Sequence, residues 1–141
     1  KQKVRYKMAT PYHTLTKPGI GHVGSFQVSG YPYVTGSTDI DNGTEHKIEF
    51  PRVVKSITVI NRASPEVRIH FNSKDSGNVY AGGHYISLPV SGDAVTFNIK
   101  CKEIYVSNAS GADNGSYELF AEVTSIQSGE MPVLTGSGLT E

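Results

Sequence analysis

Residues 117–123, Tyr117-Glu118-Leu119-Phe120-Ala121-Glu122-Val123, decide the fold class. Tyr117, Leu119, Ala121 and Val123 share one parity, and Glu118, Phe120 and Glu122 share the other. A period of two places successive side chains on opposite faces of a strand, whereas a helix needs a period near 3.6. Residues 95–101 have the same rhythm, with Val95, Phe97, Ile99 and Cys101 alternating with Thr96, Asn98 and Lys100. Residues 67–72 repeat it again, with Val67, Ile69 and Phe71 inward and Arg68, His70 and Asn72 outward. On this reading His70 points to solvent. Cys101, the only cysteine, is read as a small buried hydrophobe, and no intrachain disulfide can form.

Working outward, further short strands are expected at Phe26–Val28, His46–Phe50, Val53–Asn61, Tyr85–Leu88 and Ile104–Val106, with Pro51 interrupting between two of them. Thr35–Gly43, Lys74–Gly83 and Asn108–Ser116 read as loops, and Asp41-Asn42-Gly43 and Asn114-Gly115 as tight turns. Short strands at roughly 8–12-residue spacing, without a helical period, indicate an all-β domain. The expected architecture is a single jelly-roll-like antiparallel β-sandwich with extended N- and C-terminal arms. Its divisions are a basic arm over residues 1–24, the sandwich over 25–126 and a tail over 127–141.

Charge is divided along the chain. The first acidic residue is Asp39, and Lys1, Lys3, Arg5, Lys7 and Lys17 precede it, so residues 1–38 carry +5. Residues 39–141 carry eight Lys/Arg against thirteen Asp/Glu, or −5. Pro11, Pro18 and the nearby glycines favour an extended arm. An arm of five charges binds nucleic acid weakly and in a salt-sensitive way, and the −5 domain behind it repels a polyanion. An acidic protein surface suits it better. The arm residues expected to touch a partner are Lys1, Lys3, Arg5, Tyr6, Lys7, Tyr12 and Lys17. In the tail, Met131, Val133 and Leu134 form the one apolar cluster and are the candidate contact with a neighbouring subunit.

Chemistry-bearing patterns are sparse. Gly19-Ile20-Gly21-His22-Val23-Gly24 spells a dinucleotide glycine pattern but lacks the preceding strand and following helix that such a site needs. Asp39–Glu45 resembles a calcium loop in composition, yet an EF-hand that starts at Asp39 needs its glutamate at position 12, where Phe50 stands. His13, His22, His46, His70 and His84 show no paired metal-ligand spacing. No nucleophile motif is present, so the expectation is no enzyme, no cofactor and no metal. Tyr31, Tyr33, Tyr80, Tyr85 and Tyr105 could line a sugar-binding face, although core or edge packing accounts for most of them and no Trp is available as a platform. No stretch approaches the roughly 18 apolar residues of a membrane span, and no secretory h-region follows Lys1–Met8.

His84–Pro89 followed by Val95–Val106 resembles the β-sandwich cement, or decoration, proteins of tailed-bacteriophage capsids. Glu118–Ile126 resembles their final strand, and Phe50–Val53 through Val67–Phe71 is compatible with them, so the likeness runs over residues 45–126. The resemblance implies a virion protein without catalysis, assembled in the host cytoplasm. Such a protein binds the capsid exterior, holds neighbouring major capsid protein subunits together, and sits there as a dimer or trimer without direct contact to nucleic acid or membrane. The alternative is a β-sandwich module that binds carbohydrate or another receptor on a phage tail or a secreted protein.

Overall fold

Strand β7, Gly115–Gln127, carries the decisive alternation, with Tyr117, Leu119, Ala121 and Val123 buried and Glu118, Phe120 and Glu122 outside the core. The computed structural model describes residues 18–111 and 113–141. Its other elements are a short helix α1 (Val23–Gln27), strands β1 (Tyr31–Ile40), β2 (Glu45–Asn61), β3 (Val67–His70), β4 (Ile86–Leu88), β5 (Ala94–Phe97) and β6 (Cys101–Asn108), and a 3₁₀ turn (Ser128–Glu130). The described residues are nearly all β, as the period of two indicates, and every strand pair among them is antiparallel.

Pairing runs β1-β7-β2-β6-β3-β4, with β5 also on β2, so it is continuous through β2 instead of broken into two sheets. Strand β2 belongs to two halves. Its first part, Glu45–Glu49, pairs with β6, and its second part, Ser56–Asn61, pairs with β7. Ile57–Ile60 also pairs with β5 on the opposite edge. Register shifts fall between Glu49 and Val54 and again before Ser56. They turn the inward parity from Ile48 and Phe50 to Ile57 and Val59, as bulges do. Pro51 lies in this irregular stretch, where its missing N–H costs no ladder bond. The two expected strands are therefore one bent strand.

The halves face each other across one core, which takes Ile40, Ile57, Leu119 and Ala121 from one side and Ile48, Val67, Ile69 and Ile104 from the other. Contacts between residues that are not partners in the ladder mark the closure, such as His46 against Tyr117 at 6.1 Å and Phe71 against Phe97 at 5.7 Å. Cys101 is buried in this core, in agreement with its place in the alternation. Two buried asparagines at strand ends pin the loops. Asn61 donates through Nδ2 to the carbonyls of Leu88 (2.8 Å) and Pro65 (3.0 Å), and Asn108 donates to those of Asp113 (2.7 Å) and Ile40 (3.1 Å). Each satisfies carbonyls that burial would otherwise strand.

Four expectations are corrected. Phe26–Val28 is not a strand: Val23–Gln27 is helical, and Phe26 rests on a second apolar cluster of Val53, Ile126 and Met131. An alternation that short is overridden by packing. Thr35–Ile40 is strand and not loop, its Thr, Ser and Gly content having hidden the pairing with β7. Gly36 fits there because a Cβ would stand 2.5 Å from the Tyr117 carbonyl oxygen. The tail folds back on its own domain: Met131 is buried, Asn72 Nδ2 donates to the Leu134 carbonyl at 2.9 Å, and Asn78 N–H donates to that of Thr140 at 2.8 Å. Finally, His70 is fully buried.

Candidate binding surfaces

His70 does lie on the outward face of β3, opposite Tyr105 on β6. It is covered because the segment from Asn72 to His84 folds over that face. Tyr80 from this segment meets the imidazole edge-on at 5.7 Å, and Tyr105 stacks on it at 5.8 Å. Nδ1 lies 2.6 Å from the Asn72 carbonyl and must donate to it, so Nε2 accepts from the Ser107 hydroxyl at 2.9 Å. The Tyr80 hydroxyl in turn donates to Ser107 at 2.5 Å. This relay is complete with a neutral imidazole. Burial, the largest influence, pushes the His70 pKa down; the Asn72 carbonyl and the Glu45 carboxylate oppose it, while Arg68 and Lys74 reinforce it. A neutral ring makes the 3.9 Å approach to Glu45 a contact of a charge with a dipole and not an ion pair. The Ser107–His70 arrangement resembles a nucleophile and base, but both residues are sealed from substrate.

Beside the relay, Arg68 extends over the rings of Tyr85 (4.3 Å) and Tyr80 (5.0 Å) and pairs with Glu66 at 2.6 Å. Ser87 also donates to Glu66, and these bonds hold the Glu66 carboxyl below its ordinary range. Tyr80, Tyr85 and Tyr105 thus close over the protein's own side chains and do not form an open platform.

The arm residues Lys1, Lys3, Arg5, Tyr6, Lys7, Tyr12 and Lys17 lie outside the described residues. The segment that follows them is anchored. Ile20 and Phe26 pack on the Val53–Ile126–Met131 cluster, Lys100 Nζ donates to the Ile20 carbonyl at 2.8 Å, and Lys55 Nζ donates to the carbonyl of Val28. The Lys100 ammonium also sits 4.7 Å from the Phe26 ring centroid. In the tail, Met131 is taken up by the chain's own core cluster, Leu134 is half-buried, and Val133 remains 53% exposed. Among the described residues, no group of three or more His, Cys, Asp or Glu could hold a metal ion.

Sequence reasoning missed an open apolar row. Val34 on β1 faces Phe120 on β7, which faces Thr58 on β2, which faces Thr96 on β5. Val34 is 73% exposed and Phe120 43%, and Tyr31, at the start of β1, is 72% exposed. The row lies between two ion pairs, Lys55–Glu122 at 3.8 Å and Arg62–Glu118 at 3.6 Å. Phe120 on the polar parity of 117–123 was the available signal: an apolar residue at an outward position flanked by two glutamates.

No protein-family model matches the chain, and no curated protein matches it. Among solved structures the chain is similar to PirA at 15% identity, over 68% of this chain and 97% of that one, with a TM-score of 0.34. A superposition that loose says nothing of function.

Proposed function

We propose that this chain is a structural virion protein that binds the outer surface of a tailed-phage capsid shell and cements neighbouring major capsid protein subunits, acting there as a dimer or trimer. The observation that carries this reading is the exposed row of Val34 and Phe120 on a sheet whose edge strand begins at Tyr31. Apolar residues grouped on a polar-rimmed face favour burial against a protein partner. The basic residues before Pro18 add a second contact of opposite character, suited to an acidic shell surface. Many weak contacts suffice on a shell, because copies tethered to one particle gain avidity.

Co-sedimentation with expanded shells tests the proposal. The intact chain should pellet with particles in a fixed ratio to the major capsid protein. Phe120→Asp and removal of residues 1–17 should each weaken incorporation while leaving the β-sheet circular dichroism unchanged. Full-strength incorporation of both variants would sink the proposal.

A further inference from the structure

Among the described residues, strand β1 pairs only with β7, and the first half of β2 pairs only with β6. Two strand edges therefore face one another where the halves of the sheet diverge, and an open slot of about 560 Å³ lies between them. That volume falls within the range of small-molecule sites, roughly 300–1,000 Å³. Its inner lining is Tyr33, Thr35 and Ser37 from β1, His46 and Ile48 from β2, and Tyr117 from β7. Tyr33 is fixed by an edge-on contact with Phe50 at 5.4 Å, and His46 by one with Tyr117.

Among the described residues, three polar heads of the slot have no hydrogen-bond partner. Tyr117 is 97% buried at 3% exposure, yet its hydroxyl makes no hydrogen bond among the described residues. The hydroxyl is not sealed either, since among the described residues the buried side-chain polar atom without a partner is His84 Nε2. Tyr117 lines the slot together with Tyr33. The Tyr33 hydroxyl and the His46 ring also have no hydrogen-bond partner among the described residues. Burial, and then the nearby Tyr33, raise the Tyr117 pKa, so the Tyr117 phenol stays neutral. Charge at the rim is already matched, with Lys47 held by Glu49 at 3.5 Å and Glu103 at 3.6 Å. Glu45 is engaged by the Ser73 hydroxyl and the Lys74 N–H. Among the described residues that line the slot, Lys47 is the cation, and its carboxylate partners leave it unavailable to a phosphate or a carboxylate.

We propose that this slot binds a neutral saccharide ring, with the Tyr117 and Tyr33 hydroxyls and His46 hydrogen-bonding its hydroxyl groups and the aromatic faces packing its C–H surface. Phenol and alcohol hydroxyls both donate and accept, which matches the dual character of sugar hydroxyls. Aromatic rings with a polar tip suit a ligand that is apolar on its faces and wet on its rim. The site is independent of the exposed Val34–Phe120 row.

The test is a titration of the ¹⁵N-labelled full chain with glucose, galactose, mannose and N-acetylglucosamine, and with N-acetylneuraminic acid as the anionic control. Amide shifts should concentrate at Thr35, Ser37, His46 and Tyr117 for at least one neutral sugar. Tyr117→Phe, which removes one oxygen and keeps the ring, should weaken binding about tenfold, as loss of one hydrogen bond does. The same variant should still pellet with capsid shells, which separates this site from the cementing role. The proposal is overturned by no shifts with any neutral sugar at millimolar concentration, by shifts centred elsewhere, by preference for the anionic sugar, or by unchanged affinity in Tyr117→Phe.

Discussion

The rings of His70 and Tyr105 stack with their planes 9° apart and their centroids 5.8 Å apart, on the face of the sheet that points away from the main core. The Asn72–His84 segment turns this outer face into a second interior, and its polar relay depends on a neutral imidazole.

Stability should therefore fall in mild acid. The folded chain holds the His70 pKa below its ordinary value of 6.5, so the unfolded chain binds the extra proton first. The contribution is fully present above 6.5 and is lost as the pH falls from there toward the lower folded value. Urea midpoints across that window should drop in the wild type. His70→Phe should flatten this component and cost about 1–3 kcal/mol at neutral pH, because Ser107 and the Asn72 carbonyl lose their partner. An unchanged slope in the variant would remove His70 from the account.

Cys101 should be inert in the folded protein. Burial pushes its thiol pKa up to about 12, so almost no thiolate is present near neutrality. A thiol-specific disulfide reagent should react only as fast as the chain unfolds, and quickly in denaturant. Rapid native-state labelling would contradict the burial.

Replacing Met131 and Val133 should have unequal effects. Met131 is buried with Val53 and Ile126, so Met131→Ala should cost about 2–3 kcal/mol by leaving a cavity. Val133 is exposed, and Val133→Ala should change stability by less than about 0.5 kcal/mol. Denaturant melts of the two variants check this directly. Equal effects would mean that the tail is not held as described.

At Gly36, a methyl group would meet the Tyr117 carbonyl oxygen at 2.5 Å. Gly36→Ala should force β1 away from β7 at a cost of about 1–3 kcal/mol. Amide exchange should rise along Tyr31–Ile40 more than in β6.

The strand class, the buried parity of residues 117–123 and the burial of Cys101 were legible in the sequence alone, because period-two alternation records which face meets the core. So was the charge division at Asp39. Tertiary structure decided the rest. Alternation shows that His70 faces away from Ile69, but only the fold brings Tyr80 and the segment around it over that face. Alternation breaks at Pro51, but only the pairing of β2 with both β6 and β7 shows one bent strand shared by two halves. The Tyr33–His46–Tyr117 slot joins residues up to 84 positions apart in the chain, and no local pattern encodes it. A local pattern reports the face a side chain takes; what then covers that face depends on segments distant in sequence, whose approach is set by the packing of the whole chain.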